Sequence, residues 1–185
     1  YNEGVSVSAS RIAKWDTLTE TWSALGAGIS TGSVLVLAVD SSHNLYAGGG
    51  FTDANSIPEA DYIAMWNGSA WSALAGNGSG GGALVGGAVN AIALNGTTVY
   101  VGGAFTSVKD TSNVVKVNAP YLAQWNGSAW SAIPGTTTAF SGPVYALAYA
   151  GGNLYVGGNF SAANGIVGAN NIAVWNSGTQ TWSAL

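Results

Sequence analysis

The chain has 185 residues, of which 48% are hydrophobic and only 6% charged, with a net charge of −4. That is enough apolar material for a sizeable core, which excludes a disordered chain, while a charged fraction far below the usual ~25% leaves the surface to Ser, Thr, Asn and the 28 glycines. The cations Arg11, Lys14, Lys109 and Lys116 form no stripe that could neutralise phosphates, so nucleic acid and anionic membrane surfaces are excluded as partners. No apolar run reaches the ~20 residues of a membrane span, and with no cysteine there is neither a disulfide framework nor a thiolate metal site.

Two short strand-like runs come first, Arg11-Ile12-Ala13-Lys14-Trp15 and Thr21-Trp22-Ser23-Ala24-Leu25. The continuous apolar run from Val34 to Val39 is then stopped by the polar turn Asp40-Ser41-Ser42-His43-Asn44 and answered by Leu45-Tyr46-Ala47, which reads as a hairpin. The phrase is completed by Gly48-Gly49-Gly50-Phe51, Ile63-Ala64-Met65-Trp66 and Trp71-Ser72-Ala73-Leu74. It returns from Val89, where Val99-Tyr100-Val101-Gly102-Gly103 follows the turn at Asn95-Gly96, and again from Val144 to Trp182. Phe51, Phe105 and Phe160 recur at spacings of 54 and 55, and Trp22, Trp71, Trp130 and Trp182 at 49, 59 and 52. A period of about 50 residues with four strands per unit is that of a propeller blade. The expected fold is therefore all-β, a β-propeller of four-stranded antiparallel blades. Its units are a half blade of two outer strands over 1–25 and full blades over 26–74, 75–133 and 134–185, fourteen strands in all.

An innermost propeller strand is covered on both faces and should read as unbroken apolar sequence. The runs at Val34, Val89 and Val144 do so, with Asn90 the main exception. The paired glycines are expected to turn the chain through angles closed to other residues and to let the next blade come close. The predicted core is Trp15, Trp66, Trp125 and Trp175 on third strands, Trp22, Trp71, Trp130 and Trp182 on fourth strands, and Phe51, Phe105 and Phe160. Such Trp rows could instead form a sugar-stacking platform, but their repetition inside the strand motif favours the core. The extra length at Leu74–Val89 and at Lys109–Pro120 is read as loops between strands.

Asn67-Gly68 and Asn126-Gly127 are expected to be two-residue hairpin turns with positive φ at both positions. Asn67, Asn77, Asn95, Asn126 and Asn159 each head an N-glycosylation sequon.

The phrases Leu154-Tyr155-Val156-Gly157-Gly158, Asn171-Ile172-Ala173-Val174-Trp175 and Gln180-Thr181-Trp182-Ser183 resemble kelch-type propeller repeats. They look closer still to the repeats of the fungal cortical polarity marker family and to similar repeats in secreted bacterial proteins, with their Ile-Ala-x-Trp, Trp-x-x-Leu-Gly and Val-Gly-Gly-x-Phe. The resemblance spans essentially the whole chain and implies the fold, which hosts enzymes, receptors, adhesins and scaffolds alike. Kelch-like oxidases of the galactose oxidase kind hold copper with Tyr and His and crosslink a Tyr to Cys; with one His, His43, and no Cys, that activity does not carry over.

No charged residue or His follows Lys116, and the carboxylates Glu3, Asp16, Glu20, Asp40, Asp53, Glu59, Asp61 and Asp110 do not recur from blade to blade. Asp53, Glu59 and Asp61 lack an ordered calcium-loop spacing and read as a solvated loop. No catalytic, cofactor or metal-binding residue is therefore assigned. The function expected is a non-enzymatic extracellular or cell-surface scaffold for structure, assembly or adhesion. The alternative is a carbohydrate-binding propeller using loop residues such as Tyr62 or Tyr121; a kelch-type enzyme is a weaker third reading. Because both ends cut through the motif, the expected partners are further blades of a longer chain, or a second copy giving a seven-bladed ring, with glycans as a further ligand class.

Overall fold

The computed structural model describes residues 7–76, 79–110, 112, 114–115 and 119–185; Glu3, Asn77 and Lys116 lie outside the described residues. The elements are all strands. A terminal hairpin of β1 (Ala13–Asp16) and β2 (Thr21–Ala24) precedes three four-stranded antiparallel sheets. The first sheet runs β3 (Val34–Val39), β4 (Leu45–Gly49), β5 (Ile63–Trp66) and β6 (Trp71–Ala73). The second is built from β8 (Val89–Asn95), β9 (Thr98–Gly103), β11 (Leu122–Trp125) and β12 (Trp130–Ser131), and the third from β13 (Val144–Ala150), β14 (Asn153–Gly158), β15 (Ile172–Asn176) and β16 (Thr181–Ala184). Each sheet is a meander in chain order, and the inner strands β3, β8 and β13 pack successively against one another. This is a β-propeller arc of three blades led by an outer half blade.

Two further strands were not expected. β7 (Leu84–Val85) and β10 (Ser107–Val108) pair antiparallel, so sixteen strands occur among the described residues instead of fourteen. The first segment read as a loop, Leu74–Val89, thus pairs with the residues just before the second: Leu84 and Val108 are buried, and a two-residue strand was too short to show any period in the sequence.

Three apolar cores fill the spaces between units. Ile12, Leu25 and Phe51 pack with Trp71 between the terminal hairpin and the first blade. Ile63, Val89, Ile92 and Trp130 join the first blade to the second. Tyr100, Val144, Phe160, Trp175 and Trp182 join the second to the third. An indole N–H crosses the first two joints to a carbonyl of the preceding unit, Trp71 to Leu25 at 2.7 Å and Trp130 to Leu74; in the third blade Trp182, their counterpart, donates to Thr136 Oγ1 at 3.1 Å and Trp175 to Pro134 O at 2.8 Å. A buried indole thereby finds its partner without opening the core to water.

The first glycine of each pair does what was expected in one respect and not in the other. None of Gly48, Gly49, Gly102, Gly103, Gly157 or Gly158 has a positive φ, so unusual backbone angles are not the reason for them. Close approach is. A Cβ on Gly48 would lie 2.6 Å from Val89 Cγ1 of the next blade, and one on Gly102 would strike Val144, whereas at Gly157 the nearest atom among the described residues would be Ala146 Cβ at 3.6 Å. Each inner strand also slips register once, between Val34 and Val36, Val89 and Ala91, and Val144 and Ala146. Asn90 occupies one of these bulges and donates its side-chain amide to Val144 O at 3.3 Å, which accounts for the polar break in its apolar run.

Of the three inner strands only β8 is covered on both faces among the described residues. On β3, Leu35, Leu37 and Val39 are bare, and on the third blade Tyr145, Tyr155 and Ile172 are. The core expectation fails at Trp15 and Trp22, which are 43% and 56% exposed, since among the described residues nothing packs on the outer side of the terminal hairpin; their rings lean on each other at 5.2 Å. Trp66 and Trp125 are half-buried, while Trp71, Trp130, Trp175 and Trp182 and all three Phe are buried.

Candidate functional site

Local rules place the side chains around the turns. The residue after each third-strand Trp caps the outer hairpin: Asn67 Oδ1 accepts from the N–H groups of Ser69 and Ala70, Asn126 Oδ1 from Ser128 and Ala129, Asn176 Oδ1 from Gly178 and Thr179, and Asp16 Oδ1 from Leu18 and Thr19. The expected two-residue turns are therefore four-residue loops closed by Asn67 N–H to Ala70 O and Asn126 N–H to Ala129 O. Only the glycines, Gly68 and Gly127, take positive φ there, because the Asn side chain supplies the acceptor that a tighter turn would have taken from the backbone. Of the sequon residues, Asn67, Asn126 and Asn159 are exposed, Asn95 is exposed with its amide donating to the Tyr149 hydroxyl at 3.0 Å, and Asn77 lies outside the described residues.

Tyr62 and Tyr121 share a position with Asn171 and Arg11, all at φ between 62° and 66°. Tyr62, Tyr121 and Asn171 each donate a backbone N–H to the carbonyl of the blade's Phe (Phe51, Phe105 and Phe160) and accept from the second glycine, which makes the two Tyr blade-corner residues. Arg11 reaches across to the carbonyls of Ile29, Ser30 and Gly32. Asp61 latches its loop by accepting from the N–H groups of Asp53 and Gly82. No group of three His, Cys, Asp or Glu able to hold a metal occurs among the described residues.

What the structure assembles, and the sequence did not announce, is a cavity of about 560 Å³ between the terminal hairpin and the bare face of the first blade. Ile12, Ala13 and Lys14 form one wall, Leu37 and Val39 the other, with Leu45 and Trp66 behind; His43, exposed in its turn at φ 64°, sits at the rim. Along one side of the slot runs an edge of β1 that no strand pairs among the described residues, since β1 pairs β2 alone. In the complete blades that edge is occupied: β5 pairs β4, β11 pairs β9 and β15 pairs β14. Ala13 is accordingly exposed, while its counterparts Ala64, Ala123 and Ala173 are wholly buried. The walls offer apolar surface and unpaired backbone, the chemistry of strand recognition. The half unit at the start of the repeat was the one signal in the sequence that pointed here.

Titrating groups near the joints follow from their partners. Desolvation pushes the Asp40 carboxyl up, but hydrogen bonds from Asn44, Ser42 and the Tyr46 hydroxyl outweigh it and hold it below the ordinary carboxylate value. The Tyr46 hydroxyl is pushed up, first by burial and then by the adjacent Asp40 charge; that of Tyr100 is pushed up by burial and by Tyr149, against a hydrogen bond with Asn95 that lowers it. A folded state that holds these protons more tightly than the unfolded chain keeps its full contribution below pH 10.0 and loses it as pH rises through the folded values. Denaturant midpoints should hence fall above that pH, and the fall should be shallower in Tyr46→Phe and Tyr100→Phe than in the parent chain.

No family model matches the chain, and no curated protein matches it. A solved structure described as YCF48 bound to D1 peptide is similar to it at 15% sequence identity and a TM-score of 0.45, over 84% of this chain and 40% of that one. The chain thus spans well under half the length of that neighbour. The propeller architecture itself stands on the strand order, the register and the stacking of the inner strands.

Proposed function

We propose that this chain is a non-enzymatic propeller scaffold, extracellular or at the cell surface, that acts in assembly or adhesion through the two end faces of its arc. The observation that carries the reading is the pair of bare apolar faces, Leu37 and Val39 at one end and Tyr155 and Ile172 at the other, on the same strand positions that elsewhere form the joints between blades. Exposed apolar surface of this kind marks interaction sites. A surface wetted by amides and hydroxyls, with sequon residues Asn67, Asn126 and Asn159 exposed, supports the extracellular placement. Sedimentation of the chain over a range of concentrations tests it. Mass should rise with concentration, and Leu37→Asp and Tyr155→Asp should each suppress the rise; a monomer at every concentration overturns the reading.

Carbohydrate binding is the second reading, favoured by the exposed tilted pair Trp15 and Trp22, whose faces could stack on a sugar ring. Saturable binding to one sugar class on a glycan array, lost in Trp22→Ala, would establish it in place of assembly.

A further inference from the structure

We propose that the slot beside the terminal hairpin is a docking site for one kind of segment: an antiparallel β-hairpin of this same repeat, supplying the first and second strands of the incomplete blade. The inference deepens the assembly reading by naming what one end face takes. Three observations support it, each independent of where the chain begins or ends.

The first is register. β1 and β2 pair Ala13 with Ala24 and Trp15 with Trp22, just as β15 and β16 pair Ala173 with Ala184 and Trp175 with Trp182, so the hairpin is an outer pair, strands three and four of a blade. The second is placement. Leu25 O accepts the Trp71 indole as Leu74 O accepts that of Trp130, which puts the half blade against the first blade as the first stands against the second. The cavity therefore lies where the inner pair of that blade belongs. The third is the character of the walls. Leu37 and Val39 occupy the positions of Ile92 and Leu94 on β8, which are covered in the joint containing Val36 and Ala38 of the preceding inner strand. An unpaired strand edge beside them is a template for another extended backbone.

These observations also decide against a second copy closing the slot with its own half blade. The half blade is an outer pair, and two outer pairs do not make one blade. A small apolar ligand could fill the volume but would leave the β1 edge unpaired.

The register further fixes what the incoming second strand must look like. Opposite the residue preceding Ala64, Ala123 and Ala173 the chain places Gly48, Gly102 and Gly157 respectively, and opposite Trp66, Trp125 and Trp175 it places Leu45, Val99 and Leu154. The docking strand thus needs glycine opposite Ile12 and an aliphatic residue opposite Trp15. The glycine is required because its counterpart Gly48 lies close against Val89 and Ile92, and here Val34 and Leu37 stand in their places.

The probe is a labelled peptide with the sequence Pro143–Asn159 of this chain, an inner hairpin that meets both requirements. Fluorescence anisotropy should show saturable binding. It should weaken by about tenfold or more, a difference well above measurement error, when the chain carries Leu37→Asp, a residue 53% exposed, with an unchanged urea midpoint as the check on its fold, or when the peptide carries Gly157→Leu. A peptide of the outer pair, Asn171–Ala184, should not bind. A tethered form, with the same inner hairpin joined to the chain through a flexible linker, removes affinity from the question: the Ala13 and Trp15 amides, which the register turns toward the slot, should become protected from hydrogen exchange. Equal binding of the outer-pair or Gly157→Leu peptide overturns the proposal, as does failure of both the free and the tethered hairpin to engage the slot. Concentration-dependent mass of the chain alone does not depend on any of these outcomes, so the broader assembly reading stands or falls separately.

Discussion

Trp130→Ala should lower the stability of the chain by about 3–5 kcal/mol, the range for truncating a large aromatic in a packed core. The side chain is 2% exposed, leans on Trp125 at 5.6 Å and belongs to the core between the first and second blades. Its indole N–H also satisfies the Leu74 carbonyl, so truncation leaves both a large void and a buried acceptor without its partner. Trp22→Ala, at the equivalent position of the terminal hairpin but 56% exposed, should change stability by no more than ~0.5 kcal/mol. Urea unfolding of the two variants beside the parent makes the comparison: a lowered midpoint at unchanged slope is expected for the first alone. Equal effects would show that the joint between blades is not where the Trp rows act.

Gly103→Ala should be nearly as damaging, at the upper end of the ~1–3 kcal/mol typical of overpacking. The added methyl would run into the carbonyl oxygen of Ala88, with Phe105 Cδ1 3.1 Å away, and backbone cannot swing aside as a side-chain end can. That carbonyl is itself fixed by accepting the Ala104 N–H at 2.9 Å beside the bulge of β8. Gly157→Ala provides the control within the same motif, because the nearest atom to its new Cβ is 3.6 Å away, ordinary van der Waals contact. Its midpoint should stay at the parent's. A thermal or urea midpoint for Gly103→Ala equal to the parent's would refute the close approach.

The recurring phrase carried most of this architecture. Unbroken apolar runs at Val34, Val89 and Val144 marked the inner strands, and the Trp and Phe spacings marked the blade, because burial on a repeated scaffold repeats its residues. What could not be read was anything fixed across space. The bulge that puts Asn90 in reach of Val144 depends on the neighbouring blade, 54 residues away, and the pairing of β7 with β10 joins two stretches that carry no period of their own. Sequence identity also hid a shared role: Arg11, Tyr62, Tyr121 and Asn171 look unrelated, yet all four take the same left-handed backbone at the start of a third strand. Asp16, Asn67, Asn126 and Asn176 likewise perform one capping task in loops of different length. The slot was the least legible feature, since it is defined by a strand edge and a face that belong to different units.

The joints between blades have one more consequence, for how many blades a ring can hold. Each joint consists of much the same parts, an indole N–H on a carbonyl or hydroxyl of the segment linking the two units and, between full blades, a valine seated over a bare glycine, and each involves nearest neighbours only. Nothing in such a joint registers how many others exist. Duplication or loss of one whole repeat leaves every local contact as it was, and the ring size is then selected by accumulated curvature: the number of identical small rotations that bring the last face round to the first.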